Sequence, residues 1–371
     1  MYDESYYEQY LCAAEPEVTE RALNWDIAVG LQAVDGLKVS EYLRTMADGH
    51  IRGLYSIGEV EKKVEQYYAE RGRAHASEND EADKVAVNIA SILNEQAFIF
   101  SPSGIVAIHH RLFHNVFEFA GKIRDYNISK KEWVLNGDTV SYAYASEIHA
   151  ALQYDMDLEK RFSFVGLNDD QVVGHITRFI SGLWQIHPFP EGNTRTTAVF
   201  CIKYLRYQGF QVDNRLFAHR ARYFRDALVR ANYRNRAKGI REEYSYLIKF
   251  FRNLLLGEKY VLKSRFLHIQ AEPQPETAAP VEASAIAEHA LIKVDPYVGA
   301  LIKMMGGAQM SVREMMEGMG LKGRDNFLRK YLNPSLVEGC IRMLYPDNPR
   351  HPRQKYQLTA RGSLAWEDLH R

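Results

Sequence analysis

Two amphipathic helical patterns joined by a short, proline-bearing turn constrain this chain more than any other feature. In DDQVVGHITRFISGLWQIH the apolar residues Val172, Val173, Ile176, Phe179, Ile180, Leu183 and Trp184 recur at three and four, which predicts a helix with one buried face. TTAVFCIKYLRYQGF carries the same pattern, and Gly209 is placed to end it. Between them IHPFPEGNT leaves room only for a tight connection, so two long helices must meet at an angle fixed by His187, Pro188, Phe189 and Pro190. Helical patterns also fill the N-terminal eighty residues, most clearly in EYLRTMADGHIRG and IGEVEKKVEQYYAERG, and no internal repeat is visible. The chain is expected to be mainly α. One exception is GKIRDYNISKKEWVLNGDTVSYAY, residues 121–144, where Asn136-Gly137-Asp138 between short β-prone runs predicts a hairpin.

Composition narrows the setting. The hydrophobic fraction of 46% supports a sizeable core, and 47 Lys and Arg balance 47 Asp and Glu, so any polyanion must be met by a local patch. Cys12, Cys201 and Cys340 are far apart and in no metal-ligand spacing, which fits a reducing compartment. The first residues, MYDESYYEQY, are acidic and aromatic, unlike a secretory leader, and no apolar run reaches membrane-spanning length. A cytoplasmic, soluble protein is expected, with no membrane partner. Residues 271–290, AEPQPETAAPVEASAIAEHA, hold three prolines and seven alanines with no aromatic residue, a linker composition. The expected organisation is an N-terminal helical module at 1–80, a helical core at 81–257, a helix end and linker at 258–290, and a separate C-terminal unit at 291–371.

The turn carries the chemistry. A loop of small residues that opens a helix leaves backbone N–H groups pointing outward, and Glu191-Gly192-Asn193-Thr194 is such a loop, suited to anionic oxygens. Arg195, in the first turn, can add charge-assisted bonds to the same phosphate. Glu191 places one carboxylate at the rim, suited to Mg2+ held against a di- or triphosphate. His187, six residues before Asn193, is the one group here that takes a proton near neutral pH. Taken singly, a His at a helix end or a Gly-Asn beside a helix start is more often a cap, and Phe189 reads as a core anchor. Their joint order within nine residues is far more specific. The neighbours His109 and His110 point to different sides of a helix and make no zinc site.

This order resembles the Fic family signature, His-x-Phe-x-[Asp/Glu]-Gly-Asn-Gly-Arg-x-x-Arg. It stands here as His187, Phe189, Glu191, Gly192, Asn193, Thr194 and Arg195, with Ala198 in the last place. The resemblance covers roughly residues 81–257 and implies a Fic-type helical core with a β-hairpin flap. It further implies transfer of AMP from ATP-Mg to a Ser, Thr or Tyr hydroxyl of a target protein. His187 would be the general base, Glu191 the Mg2+ ligand, Gly192, Asn193 and Thr194 the phosphate loop, and Arg195 a phosphate clamp. Trp133, Val134 and Leu135 would form the flap strand that contacts the target. Thr194 replaces a glycine of the signature, with a hydroxyl that offers a helix cap. Ala198 replaces an arginine that in the family reaches the terminal phosphate, so transfer of another phosphate-containing group is the alternative. Asn232 and Tyr233 are candidates for the nucleotide base, against the simpler reading of a packed helix.

The run from Gly30 to Tyr68 is similar to the antitoxin module that restrains some Fic proteins through Ser/Thr-x-x-x-Glu-Gly/Asn. The matching positions are Leu31, Asp35 and Gly36, so the Ser is absent and the carboxylate is shorter. With Ala198 in place of the arginine it would hold, the restraint is expected to be altered or lost; a helical scaffold is the plainer alternative. Ser91/Glu95 and Ser284/Glu288 have the same spacing by chance. Residues 291–371 order three helices before two strand-like runs and resemble a winged helix, with ten Lys or Arg against five Asp or Glu from Gly320 to Arg371. Arg342, Arg350, Arg353 and Lys355 form a patch for DNA, in which case the core senses nucleotide for a DNA-binding regulator; the other use of such a unit is protein docking or a homodimer.

Overall fold

The computed structural model describes residues 7–11, 15–71, 79–270, 294–344, 351 and 354–369. The expectation of a mainly helical chain is met: α-helices make up most of the described residues, with a single antiparallel strand pair. No helix among the described residues is long and apolar enough to cross a membrane. The chain divides into two compact units, one formed by Met1–Leu158, Ile176–Ile202 and Asp213–Pro275, the other by Glu159–His175, Lys203–Val212 and Glu276–Arg371. This division differs from the one expected from sequence. Residues 1–80 are not a unit of their own, and two pieces of the expected core belong with the C-terminal residues.

In the first unit α1 (Glu8–Leu11), α2 (Pro16–Gly30), α3 (Glu41–Ile51) and α4 (Ile57–Arg71) lead into α5 (Asp80–Asn94) and α6 (Pro102–Phe113). The reason for the merged N-terminus is polar as well as apolar. Asn24 donates to Asn94 at 2.6 Å, and buried Asp83 accepts from the Ser40 backbone N–H (2.8 Å), the Ser40 hydroxyl (2.5 Å) and the Tyr68 hydroxyl (2.7 Å). A carboxyl buried to this degree must be paired, and these donors tie α3 and α4 to α5. Ser40 also caps α3, accepting from Leu43 N at 3.1 Å.

Next come α7 (Ile148–Arg161), α8 (Asp169–Ile186), α9 (Asn193–Tyr207), α10 (Arg215–His219), α11 (Ala221–Ala231) and α12 (Ser245–Leu256). The apolar face read in the sequence of α8 is the face that is buried: Ile176, Ile180, Leu183 and Trp184 are at 1% exposure or less. With Phe113, Phe189, Phe200, Phe224 and Phe250 they form a close-packed aromatic core.

The expected flap is corrected in form. Residues 121–144 contain no strand; Trp133–Leu135 is a single 3-10 turn, and the loop closes through Glu132 N to Asp138 O and Gly137 N to Glu132 O, both 2.9 Å. The turn chemistry was read correctly, since Asn136 (φ 56°) and Gly137 (φ 83°) both take left-handed backbone. What prevents an open edge is burial. Val134 and Leu135 are fully buried, and the Val134 carbonyl accepts from Ile269 N at 2.9 Å. Trp133 alone stays partly exposed, stacked on His268 with Arg222 over its ring at 5.1 Å.

The second unit contains α13 (Pro296–Met305), α14 (Val312–Gly318), α15 (Arg324–Phe327), a π-helical turn Leu328–Leu332, α16 (Asn333–Val337), and then β1 (Ile341–Met343), β2 (Tyr356–Leu358) and α17 (Ala360–Asp368). β1 and β2 pair antiparallel with Ile341 opposite Leu358. Val298, Leu301, Ile302, Met315, Phe327 and Ile341 share its core, and Ser311 with Glu314 forms a capping box on α14. Of the basic patch, Arg342 lies over the Tyr207 ring at 4.5 Å and Lys355 reaches Glu314 at 3.6 Å. Arg350, Arg353, the linker and Ser284/Glu288 lie outside the described residues.

Candidate active site

The turn between α8 and α9 is held by an arginine that no sequence pattern singles out. Arg124 donates from Nε to the His187 carbonyl (2.8 Å), from Nη1 to that of Tyr126 (2.7 Å), and from Nη2 to those of Ala143 (2.6 Å) and Ile186 (3.4 Å). Its backbone N–H adds a bond to the Pro188 carbonyl at 2.9 Å. These contacts sustain a conformation that a non-glycine residue rarely takes: His187 has φ 50°.

The unusual backbone sets the His187 ring. It is 3% exposed, tilted against Tyr142 with centroids 4.1 Å apart and edge-on to Trp184 at 5.2 Å. Nδ1 faces the Trp184 carbonyl at 3.4 Å, which can only accept, so the proton belongs on Nδ1. Nε2 is left with its lone pair and no partner among the described residues. Burial holds the imidazole well below its usual pKa, and the positive charges of Lys130, Arg124 and Arg225 act in the same direction against a weaker opposing pull from the Trp184 carbonyl. A neutral base is thus kept ready in a dry setting.

His187 lines a small cavity of about 20 Å³ together with Asp35, Lys130, Glu132, Trp184, Glu191, Gly192, Asn193, Thr194 and Arg225. Gly192, Asn193 and Thr194 bring the N-terminus of α9 to it, where backbone donors and the helix dipole favour anions. The side chains of that loop have mainly supporting tasks. Asn193 is clamped on Phe189, donating to its carbonyl (2.7 Å) and accepting from its N–H (3.0 Å). The Thr194 hydroxyl is not a helix cap: it accepts from the Trp184 indole at 2.9 Å, which explains a threonine where the signature has glycine. Gly192 (φ 77°) cannot be replaced in the same way, because a Cβ would lie 2.4 Å from the Phe113 ring.

Arg195 is engaged from the N-terminal side. Nη1 donates to Gln32 Oε1 (3.2 Å) and Nη2 to Glu81 Oε1 (2.6 Å), while Nε lies 2.8 Å from Asp35 Oδ2 in an ion-pair contact whose N–H does not line up with the oxygen. Its guanidinium also covers Phe113 at 4.9 Å. Asp35 therefore does hold a signature arginine, Arg195, one turn before the buried Ala198. Gly36 supplies the left-handed residue (φ 74°) that ends the turn carrying Asp35. Glu95 of the Ser91/Glu95 pair meets Arg111.

Several supporting residues escaped sequence reasoning. His109 stacks on Phe189 at 3.7 Å, accepts from Gly121 N at Nδ1 (2.8 Å) and faces the Glu191 carbonyl with Nε2 (3.1 Å). Burial lowers its pKa to about 4. Lys130 reaches Glu191 Oε2 at 2.8 Å. Arg225 Nη2 donates to Glu132 Oε1 at 3.1 Å and lies 2.8 Å from Oε2, with Glu132 only 1% exposed and its carboxyl pushed up by burial. Asn232 is packed, donating to Ser181 and Leu228, and the Tyr233 hydroxyl donates to Asp138 at 2.7 Å.

Two segments of the chain match known protein families. Residues 99–205 match the Fic/DOC family, and residues 296–359 match the C-terminal domain of Filamentation induced by cAMP protein Fic-like. Residues 99–205 are a Fic domain. A protein adenylyltransferase of Bartonella henselae is 26% identical over 178 residues, 46% of this chain and 31% of that protein. The protein adenylyltransferase VbhT of Bartonella schoenbuchensis is 31% identical over 107 residues, 29% of this chain and 21% of that one. The chain thus spans a third or less of the length of these two relatives. Among solved structures, a Fic family protein from Desulfovibrio desulfuricans aligns over 95% of this chain and 90% of its own with 17% identity and a TM-score of 0.44.

Two outcomes are expected. Gly192→Ala should cost about 2–4 kcal/mol, combining left-handed strain with overpacking against Phe113, read as a lower urea midpoint. The His109 pKa is depressed from 6.5 on folding, so its contribution is complete above 6.5 and is lost as the unfolded chain takes up a proton below it. The stability advantage of wild type over His109→Gln should shrink by about 2 kcal/mol from pH 7.5 to pH 5, measured by urea unfolding of both proteins at both pH values.

Proposed function

We propose that this Fic protein is a protein adenylyltransferase that moves AMP from ATP to a Ser, Thr or Tyr hydroxyl of a target protein. The observation that carries the reading is a buried His187 whose Nε2 has no partner among the described residues and which lines the same cavity as the residues that open α9. His187 Nε2 takes the proton of the target hydroxyl as its oxygen attacks the α-phosphorus. The bond from that phosphorus to the pyrophosphate oxygen breaks, and the electron pair leaves with pyrophosphate. The N–H groups at Gly192, Asn193 and Thr194 bind phosphate oxygens as negative charge grows there. Trp133, the one exposed member of the expected target strand, offers its ring to an incoming polypeptide.

Glu191 fits a role in holding Mg2+. Its side chain is 57% exposed and already meets a cation, Lys130. One such ligand suits an ion held mainly by phosphates and water, where it neutralises phosphate charge. Arg195 would clamp phosphate once it is free.

A cavity of about 20 Å³ holds a single water and no nucleotide. Supporting a restraint, Asp35, Gln32 and Glu81 hold Arg195 and Asp35 lines the cavity. In this reading the brake is altered rather than lost, and it acts on Arg195 because position 198 has no arginine.

Lysate labelling with ATP marked at the α- or the γ-phosphate tests the reading. Protein label is expected from the α position only, at least a hundredfold weaker with His187→Ala, and increased with Asp35→Ala. Label from the γ position only, or equal α label in His187→Ala, would contradict it.

A further inference from the structure

The pocket is short of one arginine and has two cations that the signature does not contain. Ala198 is completely buried on α9, so no charge reaches the cavity from that position. Lys130 comes from the 121–144 loop and Arg225 from α11, and both line the cavity with His187 and residues 191–194. Each is balanced by a carboxylate, but in different ways. Arg225 is fixed, because its partner Glu132 is buried, accepts from Nη2 at Oε1 (3.1 Å) and keeps Oε2 within 2.8 Å as an ion pair. Lys130 is movable: its partner Glu191 sits at the rim with a side chain more than half exposed, and an ammonium on a four-carbon stem reorients readily. A rim ion pair is weak, so exchanging one oxygen anion for another costs little. Both cations already act on the spot where phosphates would lie, since their charge helps hold His187 neutral.

We propose that Lys130 and Arg225 bind the outer phosphates of the nucleotide in place of the arginine absent at position 198, with Lys130 exchanging the Glu191 carboxylate for phosphate as nucleotide enters. This rests on the nucleotide-transfer reading. Arg225 supplies a fixed positive wall, and Lys130 is the group that distinguishes a triphosphate from a monophosphate. When Glu191 turns to a metal ion, the freed ammonium is already within reach of the same phosphates.

The test is calorimetric titration of the full chain with ATP and with AMP in EDTA, which removes the metal role of Glu191. Five proteins are compared: wild type, Lys130→Met, Lys130→Arg, Lys130→Met combined with Glu191→Gln, and Asp35→Ala. Lys130→Met should weaken ATP binding about tenfold, the loss of one charge-assisted contact, and leave AMP within about twofold. Lys130→Arg should restore most of the affinity, and the double variant should stay as weak as Lys130→Met. Recovery in the double variant would overturn the proposal, because Lys130 would then only neutralise Glu191. Unchanged ATP binding in Lys130→Met would also overturn it and leave the nucleotide-transfer reading intact. Absence of binding by both wild type and Asp35→Ala would overturn both readings, since Asp35→Ala removes the restraint on Arg195.

Discussion

The rest of the site depends on one buried arginine gathering carbonyl oxygens. Arg124 bonds to the carbonyls of His187, Ile186, Tyr126 and Ala143, and so fixes the end of α8, the positive φ of His187 and the loop beside it in one arrangement. A guanidinium suits this task because its donors lie in a rigid plane. At this positive φ the His187 side chain lines the cavity and its Nε2 is left without a partner among the described residues. On the far side, His109 supports the Glu191 carbonyl and packs on Phe189, so the loop is held from both ends.

Charge is the second organising element. Lys130 and Arg225 line a space too small for a nucleotide, Arg195 follows in the first turn of α9, and Glu191, Asp35, Glu81 and Glu132 neutralise them. A polyphosphate entering this space would replace carboxylates that are already there. That exchange needs little new charge, and the exposed carboxylates are the cheapest to move. Glu132 is the exception, since a buried acid left without Arg225 would be costly.

What was legible in the sequence was whatever is local along the chain. The 3.6-residue periodicity locates α8 and α9, Asn136 and Gly137 mark a turn, and the signature brings His187, Glu191, Gly192 and Asn193 to one turn. Partners supplied from a distance were not legible. Arg124, Lys130 and Arg225 are ordinary basic residues in sequence, and His109 was weighed only as half of a zinc pair. Val134 and Leu135 read as strand residues because β-prone runs give no sign of which face the core will claim; here the core takes both. Asp35 was placed correctly beside the signature, but its partner was misjudged, because spacing along α9 does not say which arginine faces the N-terminal helices.

The most direct measurement is a crystal structure of the full chain carrying Asp35→Ala with a non-hydrolysable ATP analogue and Mg2+. The account predicts phosphate oxygens on the backbone N–H groups of Gly192, Asn193 and Thr194, the α-phosphorus beside His187 Nε2, and Lys130 turned from Glu191 to the outer phosphates. An analogue bound elsewhere, with the cavity before His187 still closed, would contradict it.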